Sequence, residues 1–511
     1  MEKIYKNTAL IVAVLTFISF SCKKEFLDQK PTSSITELTY YKNIGELETG
    51  LDACYSALRS WGYDIQNWMF GDVGSDDADC GSIQTDQPDG YNISYSRQNP
   101  SNTWVLWGWQ TYYVGIAKCN QVIDKSSGTQ GDTTEIEKIV NQAKFLRAFS
   151  YYYLVTSFGD VPLIVKFLNP DEISLKRAPA DEIWAQIEKD LTDAVNLPTK
   201  SEWSQSGRIT SGAARSLLGK VYLTEKKYEL ANNAFAEVIN SGEYQLVPDF
   251  GKVFRAEGDN SEESIFELQT TSNISLGGNL GAWTVAWRLP RDPGQGWGFD
   301  CPTKDLLEEF EPGDPRIIYT FMFPGDVFPM GSDTYTVLNT SSPTGYNCRK
   351  VWVPCEDREG LGYGDWGYNY KFIRYAEVLL LYAESLNESN KSGEALKLLN
   401  QVRTRAKNTP TTDPQRISCA YDLSHTGPLL PDITTTNQSD LRKAIWHEQR
   451  VEMAVEGHRR NMLLRIGLFA ERMEAAKSYA GISVEPYELL FPIPQNEIEL
   501  SNKVLIQNPG Y

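Results

Sequence analysis

Histidine is nearly missing. His425, His447 and His458 are the three in 511 residues, which leaves little for imidazole-based metal sites or general bases. His447-Glu448 begins like a zinc-protease motif, but Val451 stands where the second histidine ligand is needed. C-x-x-C pairs, a G-x-S-x-G elbow and a phosphate-cradling P-loop are absent too. Their absence removes the common signatures of zinc ribbons, α/β-hydrolases and P-loop nucleotide enzymes. Basic residues are in deficit, 49 Lys and Arg against 67 Asp and Glu for a net charge of −18. Such a balance counts against nucleic acid as a partner, because phosphates need a basic surface. No metal and no cofactor are expected. The apolar run Thr8–Phe20 falls short of the ~20 residues a membrane-spanning helix requires.

What the chain does have is paired amphipathic text. Ala213, Ala214, Leu217, Leu218, Val221 and Tyr222 recur on one helical face. After a turn at 224–227 follow Tyr228, Ala231, Ala234, Phe235, Val238 and Ile239. So short a link folds two helices back antiparallel. The order Leu218-Gly219, Tyr222, Tyr228, Ala231, Phe235 matches the tetratricopeptide pattern, while Val238 and Glu243 depart from its later positions. Gly219 and Ala231 occupy the places where close helix approach needs small residues. A second hairpin is expected over 375–406, with Ala383, Ala395 and Leu399 in the corresponding places. A looser third pairs 145–158 with 183–195, Pro179 marking the second helix start. Repeats of this kind cannot bury their faces alone, so a continuous body is expected.

The N-terminus reads as an address. Lys3 and Lys6 precede the apolar run, and Ser21-Cys22 follows it directly. This junction resembles the lipobox of bacterial lipoproteins, in which the cysteine, here Cys22, is acylated and begins the mature chain. Residues 1–21 would then be a signal peptide and 22–40 a lipid-anchored tether. Seven further cysteines remain, an odd number that cannot all pair within the chain. Cys348 and Cys355 can bridge, though their spacing does not require it.

Leu47, Leu51, Ala53, Cys54 and Leu58 suggest a first helix that ends in Trp61-Gly62-Tyr63, read as exposed. The acidic stretch 71–79 lacks EF-hand spacing. Glu448, Arg450, Glu452, Glu456, Arg459 and Arg465 are read as one long helix, with pairs such as Glu456–Arg459 at i,i+3. Residues 270–370 differ in kind, holding 14 of the 38 glycines with Trp283, Trp287, Trp297, Trp352 and Trp366. Prolines 290, 293, 302, 312 and 315 forbid a long helix there. This is a loop-rich insertion, the usual place for binding chemistry.

Several blocks together resemble the SusD/RagB family. They are Arg147-Ala148 through Phe158-Gly159-Asp160-Val161-Pro162-Leu163, then Arg374-Tyr375-Ala376-Glu377, then Glu448 through Gly467. The closing blocks are Phe491-Pro492-Ile493-Pro494 and Asn508-Pro509-Gly510-Tyr511. The resemblance implies a mostly α fold, a tetratricopeptide-like right-handed superhelix with a large loop-rich insertion and few short strands. It divides the chain into a helical-repeat region 41–269, the aromatic insertion 270–370 and a C-terminal region 371–511 carrying the last hairpin. It also implies a non-catalytic outer-membrane lipoprotein, facing the cell exterior, that captures a nutrient. The ligand would be an oligosaccharide, or a peptide as in some relatives, delivered to a SusC-type TonB-dependent barrel. Two alternatives stand beside it, a glycoside hydrolase built on two nearby carboxylates and a helical-repeat scaffold that binds proteins.

A glycan site needs flat aromatic platforms flanked by amide, carboxylate or guanidinium groups. Trp283, Trp287, Trp297, Tyr363 and Trp366 are the candidate platforms, with Arg288, Arg291 and Asp365 as polar partners. Trp61, Tyr63 and the Asp76-Asp77 pair would join them if the first helix packs alongside. Each such tryptophan also has a packing explanation.

Overall fold

A computed structural model describes residues 40–168, 172, 175–292, 295–338 and 340–511. The signal, lipidation and tether expectations of residues 1–39 lie outside them. Among these residues helices dominate and strands come only in short antiparallel pairs. Among the described residues no helix is long and apolar enough to cross a membrane.

The first helix, α1 (Ile44–Leu58), starts where the Asn43 side chain accepts the Glu46 amide, and buries Leu47, Leu51, Cys54 and Leu58. After α2 (Trp61–Trp68) come two long helices, α3 (Thr103–Lys125) and α4 (Thr133–Phe158). Asn102 and Asp132 cap them by accepting two backbone amides each, which satisfies donors that a helix start leaves open. The third hairpin is thus longer than its pattern indicated, since α4 begins at Thr133. Its partner α5 (Ala180–Ala194) starts after Pro179 as expected. Arg147 of α4 ties these helices together. It donates to both oxygens of Asp190 on α5 at 2.8 and 2.7 Å and to Asn120 Oδ1 on α3 at 2.8 Å.

The first-read hairpin is α6 (Ser211–Thr224) and α7 (Tyr228–Asn240). Gly219 faces Phe235 so closely that a Cβ there would lie 2.5 Å from the ring. Lys226 turns the chain in the left-handed region at φ 61°. The next hairpin, α9 (Tyr375–Glu388) and α10 (Ser392–Lys407), stacks against it. Ser385 donates to the Tyr228 carbonyl at 2.9 Å, and Asn232 donates to Ser389 Oγ at 2.9 Å.

Beyond this frame the expected long helix is broken. α11 (Gln438–Glu452) stops, and α12 (Arg459–Ile466) starts after a turn. Val455 and Gly457 there take φ of 53° and 83°. The break follows from a close approach, because a Cβ on Gly71 would lie 2.1 Å from the Gly457 carbonyl oxygen, and Asp72 accepts the Gly457 amide. The charges therefore pair across elements rather than along one helix. Arg459 binds Asp76, and Glu456 binds Arg374 and Lys350. Arg316, Arg403 and Arg405 hold Glu448 and Glu452, so the interior contains a sealed network of opposite charges. Surrounding cations hold the Glu456 carboxyl down at about 2 despite its burial.

The acidic stretch 71–79 is interior as well. Arg450, Arg459 and Arg472 converge on Asp76 and hold its carboxyl well below the usual range against burial. Its oxygens are committed to guanidinium groups. The described cysteines are all unpaired, Cys348 and Cys355 included.

Candidate functional site

The insertion is held at both ends by one antiparallel pair, Ser264–Glu267 with Lys371–Arg374. From there the two chains run side by side. Leu268 N donates to the Tyr370 carbonyl at 2.8 Å, and Gly281 N and Ala282 N donate to the carbonyls of Gly364 and Trp366 at 2.8 Å each. This ladder delivers α8 (Trp283–Arg288) and the segment 363–366 to the same place. Glycine is needed at two points of it. A Cβ on Gly281 would meet the Trp366 backbone nitrogen at 2.4 Å, and one on Gly364 would meet the Trp283 ring at 2.8 Å.

The result is an aromatic corner. Trp283 and Trp297, both half-buried, stack with centroids 6.0 Å apart and planes 28° apart. Tyr363, 41% exposed, stands edge-on to Trp297 at 5.5 Å and to Trp366 at 5.1 Å. Trp287 and Trp366 are buried beneath. Trp287 packs on Trp68, Trp104 and Phe299 as well as Trp297. The Arg358 guanidinium lies between Trp366 and Trp352, about 5 Å from each ring, a cation–π arrangement that fixes the floor. On the rim the half-buried Asp365 accepts the Asn279 amide, and Arg59, which follows α1, donates to the Asn279 carbonyl at 3.1 Å. Ile274 and Leu276 project beside them, 56% and 65% exposed.

Five expected site residues are instead interior. Tyr63 is fully buried on α2, edge-on to Tyr112 at 4.9 Å, so the reading of Tyr63 as exposed is corrected. Asp77 is consumed by Arg450 at 2.9 Å. Arg288 is 1% exposed and paired with Asp300 at 2.6 Å. Trp287 and Trp366 support the platform rather than form its surface. Trp61 opens α2, and its side chain is outside what the structure describes. Arg291 reaches Ser82 and Asp86. Trp283, Trp297, Tyr363 and Asp365 remain as one contiguous surface. Sequence reading missed Arg358, whose partners Trp352 and Trp366 are near in the chain but give no pattern for a cation between them. It also missed Arg59 and Asn279, joined only by folding.

Stacked indoles beside a tyrosine offer flat apolar faces, and Asp365 adds a hydrogen-bond acceptor. That combination suits a ligand with alternating C–H faces and hydroxyls.

Comparison with known proteins places the chain. Residues 262–511 match the SusD family, and residues 25–223 match a family described as starch-binding, associating with outer membrane. A SusD-like protein of Formosa agariphila, P2, is 26% identical over the whole of both chains. The starch-binding protein SusD of Bacteroides thetaiotaomicron is 23% identical, over 83% of this chain and 81% of its own. Among solved structures, a laminarin-binding SusD-like protein superposes with a TM-score of 0.74 at 27% identity, covering 92% of this chain and all of the other.

Proposed function

This chain belongs to the SusD/RagB family, and on that premise we propose that it is a cell-surface binding protein for a neutral glycan. The observation that carries the reading is the stacked Trp283–Trp297 pair with Tyr363 exposed at its edge. A sugar ring laid on these faces exchanges hydrated C–H groups for ring contacts while its hydroxyls reach Asp365. The net charge of −18 favours a neutral ligand over an anionic one. The solved relative at 27% identity binds laminarin, which makes laminarin the first probe.

The finer reading is capture followed by delivery. Cys22 carries the lipid, the protein faces the exterior of the outer membrane, and a SusC-type TonB-dependent barrel receives the glycan. Support for the anchor is the Ser21-Cys22 junction after a short apolar run. Support for the barrel is family membership. Purification from the native host in mild detergent should recover a barrel with this chain, and recovery of this chain alone counts against delivery.

Calorimetric titration with laminarin and a panel of other glycans tests the site. Trp297→Ala and Tyr363→Ala should each cost about 1–3 kcal/mol of affinity, by analogy with aromatic stacking on other flat ligands, with the fold retained. Unchanged affinity in both removes the site from this surface. Release of reducing ends during the titration would instead favour the hydrolase reading.

A further inference from the structure

A recess of about 160 Å³ lies between the loop 203–208, which precedes α6, and the strand Ser264–Glu267. That is well above the ~30 Å³ one water occupies in the liquid and below the ~300 Å³ at which sites for whole ligands begin, so its size is that of a subsite. Half-buried Trp203 lines it, the indole pinned by donation from Nε1 to the Ile209 carbonyl at 3.0 Å. Asn260 lines it on the strand's side, in the left-handed region at φ 54°. Glu267, itself buried, accepts the Asn260 amide and Asn369 Nδ2 at 3.0 Å each. The Asn260 side chain exchanges two further bonds with Gln269, at 3.0 and 3.1 Å. Gly207, at φ 81°, admits this pair, because a Cβ there would lie 2.5 Å from the Gln269 side chain. The recess thus holds an indole and a side-chain amide on fixed supports.

Its charges balance. Lys200 donates to the Ser261 and Ser264 carbonyls, and Arg208 donates to Gln205 Oε1 at 2.9 Å and to Asp52 at 3.4 Å. Glu267 and Asp52 offset these two cations, so the lining suits a neutral ligand that both donates and accepts hydrogen bonds. The outer face of α1 joins the recess to the aromatic corner. Asp52, Tyr55 and Arg59 share that face at i, i+3 and i+7. At one end the Arg208 guanidinium lies over the Tyr55 ring, 5.8 Å from its centre, and Tyr55 Oη accepts the Ile209 amide at 3.0 Å. At the other, about 10 Å along the helix from Asp52, Arg59 donates to the Asn279 carbonyl on the rim of the corner.

We propose that the Trp203 recess is a second sugar subsite, in which the glycan chain that lies on Trp283 and Trp297 is gripped again after crossing the outer face of α1. The inference rests on the preceding reading of the corner and narrows its ligand. The protein selects a neutral chain long enough to reach both places, and a mono- or disaccharide engages only one of them. Trp203 supplies the apolar contact, while Asn260, Gln205 and Arg208 meet the hydroxyls. Two weak grips on one chain raise its affinity without any new contact at the corner.

Fluorine NMR of the full chain carrying 5-fluorotryptophan tests this without truncating the recess, with Trp203→Phe and Trp297→Phe assigning the two signals. Saturating laminarihexaose should move both. Movement of Trp297 alone would overturn the second subsite and leave the corner standing. Movement of Trp203 alone would overturn the shared chain, since the corner would then be empty. Movement of neither would defeat the reading of the corner and this inference with it. Calorimetry supplies the second measurement. The parent should bind laminarihexaose at least tenfold tighter than laminaribiose, and Trp203→Ala, checked for an unchanged urea midpoint, should lose that advantage. Should the substitution unfold the protein, Gln205→Ala, at an exposed position, takes its place. A folded variant that keeps the parent's preference for the longer chain overturns the proposal.

Discussion

Gly219→Ala isolates the contact on which the first hairpin depends. In an exposed helix the change would stabilise by about 1 kcal/mol, since alanine is the better helix former. Here the added methyl would meet three carbons of the Phe235 ring at 2.5, 2.7 and 2.8 Å, well inside the ~3.5–4.0 Å optimum. Phe235 is fully buried, so the ring has no free space to turn into. Overpacking of this sort costs about 1–3 kcal/mol, and a rigid, enclosed ring belongs at the upper end. The net expectation is a loss of about 2 kcal/mol, read as a lower urea midpoint with an unchanged slope. Phe235→Leu alone leaves a void and also destabilises. Combined with Gly219→Ala it should cost at least about 1 kcal/mol less than the two separate losses added together, because the methyl then occupies the vacated space. A Gly219→Ala protein as stable as the parent would refute the argument, as helix propensity would then outweigh the contact.

Other outcomes follow from the buried charges and the N-terminus. Arg147→Leu should cost about 3–5 kcal/mol by stranding Asp190, and adding Asp190→Leu should recover part of it; urea titration of the three variants decides. Acid should destabilise in two steps. Burial, only partly offset by Glu377, depresses His458 to about 4, and Lys220 adds to the depression. Its contribution is therefore complete above its ordinary value of 6.5 and is lost as pH falls towards 4. Glu456, held at about 2, contributes fully above 4.5 and loses its share between there and pH 2. Each amounts to about 3 kcal/mol. His458→Gln should flatten the upper step of the urea midpoint against pH, and an unchanged profile refutes the assignment. Cys22→Ala should release the protein from the membrane or stall its processing, as read by fractionation, and retention at high salt would place the anchor elsewhere.

The helical frame was legible because helix pairs announce themselves locally. Gly219, Ala231 and Phe235 recur at spacings that only a close hairpin explains, and Pro179 marks a helix start by its own chemistry. The run from Glu448 to Arg465 shows the limit. Its spacing permits one helix, but Gly71 and Asp72, nearly four hundred residues away, press against Gly457 and break it. Burial was equally hidden at the site. Gly- and Pro-rich text drew attention to Trp283, Trp297 and Tyr363, whose rings lie together. Nothing local distinguishes them from Trp287, which Trp68 and Trp104 enclose from distant parts of the chain. The arginine partners of Asp76 and Asp77 are likewise remote, so nothing local marks the stretch 71–79 as interior.

The strand pair at the base of the insertion has a use in recombination. Two paired strands bring the points of departure and return to within about 5 Å, a gap that almost any other stretch with similar ends can close. The stretch between them can therefore be exchanged for a relative's as a cassette, carrying a different surface onto the same body. One condition applies. Arg316 and Lys350 travel with the cassette, while Glu448, Glu452 and Glu456 stay behind. A replacement that lacks those two cations would leave three buried carboxylates with only Arg374, Arg403 and Arg405 as counterions, and the chimera would be destabilised in its host frame.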